Sequence, residues 1–408
     1  VSEAAAAAEL AARASYGRLV AHLAARWRDV ARAEDALGDA LVAALETWPR
    51  AGVPDKPEAW LLTAARRRLV DGARHAHVAV AAEADLALML REQTDDVGQT
   101  ASSDERLALL FVCAHPDIDE AARTPLMLQT VLGLDAARIA SAFLVAPATM
   151  GQRLVRVKAK IREAGIRFEV PEHREMAARL PPVLDAIYAA YGSGWEDVAG
   201  ADPRRRGLAE EAIWLGRLVT RLLPDEPEAL GLLALMLHCE ARRPARRDDG
   251  GAYVPLSEQD VARWSRSLID EAESVLATAA RFAAPGRFQL EAAIQSAHAQ
   301  RARTGATDWE AIALLYKGLL RCAPTVGARV AAAAARAEAR GAEAGLRTLD
   351  GMPPDAVRTY QPYWALRAQL LTTLGRANHA RDAFDRAIGL TEEAAVREFL
   401  MTRSADIR

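Results

Sequence analysis

Apolar residues recur every three or four positions through most of this 408-residue chain and almost nowhere alternate with polar ones, so the pattern predicts helix after helix. Residues 4–75 read as one helical block and 105–168 as another. Between them Gln93–Asp104, with Gly98, Thr100, Ser102 and Ser103, has no helical period and reads as a linker. Pro171 closes the second block and Pro181–Pro182 opens a third. From there to Arg408, apolar stretches of helical length are separated by turn residues. The breaks fall at Gly192–Gly200, Pro224–Pro227, Arg242–Pro255, Pro285–Gly286, Gly305, Pro324, Gly351–Pro354 and Gly375. No segment reads as a strand hairpin. The predicted class is all-α, and the Arg-rich stretch at 242–255 reads as a solvated loop.

Composition sharpens this. Hydrophobic residues make up 51% and aromatics 5%, which excludes a disordered chain and disfavours an all-β one. Alanine, the best helix former, dominates, and among the 52 basic residues lysine occurs only at Lys56, Lys158, Lys160 and Lys317. A net charge of −3 argues against non-specific coating of polyanions, so any nucleic-acid site must be local. The three cysteines, Cys113, Cys239 and Cys322, are too few and too scattered for a disulfide framework, which points to a reducing, cytoplasmic compartment. No apolar run is long enough to span a bilayer, and the N-terminal stretch lacks the basic start of a signal peptide. No membrane partner is expected.

The charge is segregated within the first half. Residues 76–120 hold acids at Glu83, Asp85, Glu92, Asp95, Asp96, Asp104, Glu105, Asp117, Asp119 and Glu120 against Arg91 and Arg106. Residues 138–167 invert that balance. There, a short predicted helix over Asp135–Phe143, a turn at Leu144–Pro147 and a longer helix from about Ala148 have helix-turn-helix dimensions. On the second helix Met150, Leu154, Val157 and Ile161 form the stripe expected to bury. Thr149, Arg153, Arg156 and Lys160 form a second stripe, and Gln152 lies beside it. Cations and hydrogen-bonding groups on one exposed helix face suit a DNA major groove.

Two earlier segments add to this. In Pro57–His75, Leu62, Ala65, Leu69 and Ala73 share one face. Trp60, Arg67, Asp71 and Arg74 lie opposite, flanked by Arg66 and Arg68. An aromatic beside arginines suits single-stranded DNA, whose bases stack while its phosphates seek cations. In Ala33–Pro49, Leu37, Leu41, Ala44 and Leu45 are expected to bury, with Glu34, Asp35, Asp39 and Glu46 as an acidic rim that could receive a basic partner helix. Near the C-terminus, Trp364, Gly375, Ala380, Phe384 and Ala387 follow a small–aromatic–small spacing after a turn. A looser version runs over Asp308–Pro324 with Tyr316. The spacing is similar to the tetratricopeptide (TPR) repeat, in which stacked helix pairs bury a shared seam.

AEDALGDALVAALETWP, PEAWLLTAARRRLVD and the helix-turn-helix, in this order, resemble a sigma factor of the extracytoplasmic-function (ECF) group within the sigma-70 family. The stretch from DERLALLFVCAHPDIDEAARTPLMLQTV onward resembles the ECF subgroup that continues into a long TPR-like extension. The resemblance implies four segments. Residues 1–78 would be region 2, 79–104 an acidic linker, 105–170 region 4, and 171–408 a helical extension that regulates activity or binds a partner protein. It implies core RNA polymerase as partner, through the β′ coiled coil and the β flap, with Glu34, Asp35, Asp39 and Leu41 as contacts. It also implies double-stranded and melted promoter DNA as partners. Trp60, Arg66, Arg67, Arg68 and Arg74 would read the −10 element, and Thr149, Gln152, Arg153, Arg156 and Lys160 the −35 element. Arg67 stands where the family usually has Asn, and Gly72–Ala73 where it has a basic pair.

Catalysis has no support in the sequence. His75-x-His77 and Cys113-x-His115 supply zinc-type ligands, but no C-x-x-C pair or H-E-x-x-H accompanies them, and no cofactor is expected. Two other classes remain open. One is a helix-turn-helix regulator that binds its operator without polymerase and carries a TPR-like sensor; the other is a TPR scaffold with incidental basic helices.

Overall fold

The structure, a computed structural model, describes residues 3–77, 103–131, 133–142, 145–166, 168–196, 203–391 and 393–407. It is about 78% helical, with 20 α-helices and no strands among those residues, so the fold is all-α. Of the linker expected over 79–104, only Ser103 and Asp104 fall among the described residues, and they begin a helix. The chain forms two compact units. One comprises Val1–Glu196 with Asp202–Leu218, the other Asp197–Ala201 with Val219–Arg408.

In the first unit, α1 (Glu3–Trp27), α2 (Val30–Ala51) and α3 (Pro57–His77) pack on one another. Asp29 starts α2 by accepting a hydrogen bond from the Arg32 amide at 3.0 Å, and Gly52 ends it in the left-handed region at φ 86°. Next come α4 (Ser103–Cys113), α5 (Glu120–Thr130), α6 (Ala136–Ala142) and α7 (Pro147–Glu163). α4 is apolar all round: Leu107, Leu109, Leu110, Phe111 and Val112 are all buried, as the unbroken run LALLFVC requires. It sits among α1, α5 and α8 (His173–Glu196).

Helix α8 departs from the expected breaks. It begins before Pro181–Pro182 and continues through Gly192 and Gly194. An interior proline costs a helix roughly 3 kcal/mol. Leu180, Val183, Leu184, Ile187 and Tyr191 are all buried along it, and at about 1.5–3 kcal/mol per large apolar side chain that burial outweighs the penalty. Arg179 on α8 donates to the Phe111 carbonyl, and its guanidinium lies 5.7 Å from the Phe111 ring centre. In α9 (Pro203–Leu222), Glu211 pairs with the buried Arg106 of α4, whose guanidinium stacks 4.4 Å above Trp214. Pro171 therefore lies inside this first unit.

The second unit is centred on α10 (Pro227–Ala241), buried without interruption from Ala229 to His238 and packed against α11 (Arg266–Ala280) and α12 (Arg287–Ala299). Gly286 precedes α12 and has no side chain to cap it. Glu228 of α10 supplies the carboxylate instead, accepting from the Phe288 and Gln289 amides at 2.9 and 3.2 Å. The stretch 242–255 is solvated at residues 248–252, but Arg242, Arg243 and Arg247 are drawn inward. Arg242 is buried and donates to Gln295, Arg243 pairs with Glu240 at 2.7 Å, and Arg247 pairs with Glu393. Each arginine has an acceptor on a neighbouring element, and this draws the loop inward.

Beyond a single turn, α13 (Arg301–Thr304), the helices α14 (Trp309–Cys322), α15 (Val326–Arg340) and α16 (Ala342–Asp350) pack in succession. After the short α17 (Pro354–Val357), α18 (Gln361–Thr373) packs on α19 (Ala377–Leu390), and α20 (Ala394–Ala405) closes the chain. Ala380, Phe384 and Ala387 bury on one face of α19 in a cluster with Tyr363 and Leu371. Gly375 makes the intervening turn at φ 68°, where a side chain would be strained.

Candidate nucleic-acid interface

The sequence of α2 places two groups of residues on different faces. Val30, Ala33, Ala36, Leu37, Ala40, Ala44 and Trp48 are buried against α1 and α3. Asp35, Asp39, Val42 and Glu46 are exposed and fall within about 60° of one another on a 3.6-residue helix. Leu45 lies beside them. Leu45 was expected in the core but is 49% exposed, and Val42 is 55% exposed, while Leu41 is half-buried. This stripe is a mixed acidic and apolar surface. Glu34 belongs to the core instead: its side chain is 6% exposed, and Lys158 of α7 lies 2.5 Å from its carboxylate. Tyr16 of α1 donates to the other carboxylate oxygen at 3.4 Å. Burial raises the carboxyl above its usual range and the Tyr16 phenol above its own, against the pull of Lys158 on Glu34.

On α3 the buried face is Leu61, Ala65 and Leu69, with Leu62 half-buried. Trp60 is half-buried, edge-on to Trp48 with ring centres 5.5 Å apart. Arg66 turns inward and donates to His22 Nε2 at 2.5 Å, and His22 Nδ1 lies 3.3 Å from Glu105 of α4. Because the arginine can only donate, Nε2 accepts and Nδ1 carries the proton toward Glu105. Arg67 and Arg68 are exposed, whereas the side chains of Ala73, Arg74, His75 and His77 lie outside those described.

In α7 the stripe of Met150, Leu154, Val157 and Ile161 is buried, and Pro147 occupies the first turn, where its missing amide hydrogen costs nothing. Thr149, Gln152, Arg156 and Lys160 are exposed together, Arg153 is half-buried, and Val155 is 68% exposed at the edge of the same face. Lys158, in contrast, projects roughly 160° away from Arg156. Helix α7 thus presents a polar, cationic face with one apolar residue, suited to base edges and a thymine methyl.

Sequence reasoning missed Lys158, His22, Val42, Leu45 and Val155. The exposure of Val42 and Val155 follows from their wheel positions away from the buried stripes, and Leu45 lies at the margin beside Val42. Nothing local marks the partnerships of Lys158 and His22, because their partners lie on distant segments. Of the zinc-type ligands, the side chains of His75 and His77 lie outside those described, and the Cys113 thiol is fully buried 3.2 Å from the Thr130 hydroxyl, where burial pushes it up to about 12. No metal-ligating cluster occurs among the described residues. No helix among those residues is long and apolar enough to cross a membrane.

Residues 13–77, which lie within helices α1 to α3, match the sigma-70 region 2 family. The chain carries a sigma-70 region 2 domain, which supports a sigma-70 family factor in transcription initiation and implies interaction with core RNA polymerase and promoter DNA. It belongs to one family with a protein of Rhizobium meliloti (strain 1021), described as uncharacterized. The two are 39% identical over 379 residues, covering 92% of this chain and 89% of that protein. Residues 179–280 match a family of unknown function (DUF6596), which spans α8 to α11. No solved structure matches the chain.

Proposed function

We propose that the chain is an ECF-type sigma factor that docks on the β′ coiled coil of core RNA polymerase through the exposed stripe of α2. In this reading Asp35 and Asp39 meet basic residues of the partner while Val42 and Leu45 bury against its apolar side. Exposed Arg67 and Arg68 on α3 face the −10 element. Thr149, Gln152, Arg156 and Lys160 on α7 enter the major groove at the −35 element, with Arg153 at its margin. The β flap contacts the helix-turn-helix segment, and the TPR-like helical extension regulates activity or receives a partner protein. The observation that carries the reading is the convergence of acidic and apolar exposed residues on one stripe of α2, inside the region 2 match.

Gel filtration of the full chain with core RNA polymerase tests it. The chain should co-elute with the core enzyme, and Asp35→Lys with Asp39→Lys should weaken the complex at least about tenfold, the effect of one unfavourable charge contact. Free elution of the unaltered chain, with operator-type DNA binding that needs no polymerase, would replace this reading by that of an independent regulator.

A further inference from the structure

We propose that the second unit binds a small organic monocarboxylate with an apolar or aromatic body, in the cavity bounded by α17, α18 and α19. The site lies in the helical extension, outside every segment assigned to polymerase or DNA. Its geometry stands whether or not the chain acts as a sigma factor.

The sequence opens this cavity. Gly351-Met-Pro-Pro ends α16 and leaves room for only one turn, α17, before α18 begins. At 1.5 Å per residue α17 spans about 6 Å and α18 about 20 Å, so the short helix leaves part of the longer one uncovered. The space that remains measures about 460 Å³, within the range of small-molecule sites. Met352, Val357, Tyr363, Leu371 and Ala383 line it as buried residues and make an apolar floor. Trp364 forms a wall. Its indole N–H donates to the Arg358 carbonyl at 3.2 Å, and its ring stands edge-on to Tyr363 with ring centres 5.1 Å apart. An aromatic wall fixed in this way needs little ordering when a ligand arrives.

The charged groups decide the class of ligand. Arg367 is half-buried and already bound to Asp350 at 2.5 Å. Arg386 is exposed, with its guanidinium 4.4 Å from the centre of the Trp364 ring. Arg358 lines the same cavity and is exposed, and neither of these two arginines forms an ion pair with a described residue. Two uncommitted guanidinium forks beside an apolar floor suit a carboxylate, which each can hold through paired hydrogen bonds. Asp355 and Asp382, also exposed at the rim, balance the charge of those arginines. A single negative charge is therefore accommodated, whereas the several charges of a polyphosphate are repelled by both acids. The floor in turn requires an apolar body, since a purely polar anion would lose its hydration there without replacement.

Isothermal titration calorimetry of the full chain with phenylpropionate, indoleacetate and octanoate tests the site. At least one of them should bind saturably with a Kd below about 1 mM. Arg358→Ala combined with Arg386→Ala should weaken that binding at least about tenfold, the worth of one charge-assisted hydrogen bond. Both side chains are exposed, so the variant should keep the helical circular dichroism of the unaltered chain. Asp382→Asn should strengthen binding, because it removes an acid from the rim that receives the carboxylate. Phenylpropanol and adenosine triphosphate, as neutral and polyanionic probes, should bind more weakly than the carboxylate. Absence of saturable binding by all three carboxylates, undiminished binding in the double arginine variant, or tighter binding of the alcohol or the triphosphate each overturns the proposal. None of these outcomes involves polymerase, so failure here leaves the sigma-factor reading untouched.

Discussion

Two glycines in helix interiors separate backbone propensity from packing. Gly17 in α1 and Gly38 in α2 both sit mid-helix, where alanine is favoured over glycine by about 1 kcal/mol. At Gly38 an added Cβ meets nothing within 4 Å. At Gly17 it would lie 1.7 Å from the Val131 carbonyl oxygen and 2.7 Å from its carbon. Those are backbone atoms, so no side-chain rotation relieves the overlap and α1 must move away from the end of α5. Overpacking of this kind costs about 1–3 kcal/mol and exceeds the propensity gain. Gly38→Ala should raise the melting temperature of the first unit by about 2–4 °C, the change that 1 kcal/mol gives a unit of this size, and Gly17→Ala should lower it by a similar amount or more. Differential scanning calorimetry of the full chain reads both. If both variants stabilise equally, the close seat of α1 on Val131 is wrong.

Acidification should weaken the second unit. Burial, reinforced by Arg242, lowers His238 to about 4, and the same causes with Arg301 lower His298 to about 4. The folded chain therefore refuses protons that the unfolded chain accepts. Stability is complete above the ordinary histidine range and is lost as pH falls toward 4, by on the order of 3 kcal/mol for His238. Glu273 lies 3.7 Å from His238 but accepts from Ser296 at 2.6 Å and is partly exposed, so it offsets little. Urea midpoints measured from pH 7.5 to 4.5 should decline, and His238→Leu should flatten the decline; a flat profile in the unaltered chain contradicts this. On DNA, Arg156→Ala with Lys160→Ala should lower the salt slope of promoter binding by the holoenzyme by about two, since each removes one phosphate-neutralising cation. An unchanged slope would take both residues off the DNA face.

The pattern of the chain made its helices legible wherever burial is one-sided. Met150, Leu154, Val157 and Ile161 bury as the wheel requires, and so do Ala380, Phe384 and Ala387. It was less reliable where a strong local signal competes with burial. Pro181–Pro182 and Gly192 read as breaks, yet α8 runs through them because its apolar face is fully covered. Arg242, Arg243 and Arg247 read as solvated, yet each meets an acceptor from another element. In α2 the acidic residues looked equivalent, and the structure divides them, leaving Asp35 and Asp39 in water and burying Glu34.

The sequence alone determined the all-α class and the buried and cationic faces of α7, because those depend on residues a few positions apart. Tertiary structure decided which charges face solvent and which are spent internally. Lys158 and Glu34, or His22 and Glu105, are far apart along the chain, and only the packing of α1, α2, α4, α5 and α7 brings them within bonding distance. A charge reports its partner through space, and periodicity along one helix carries no information about which helix will lie opposite.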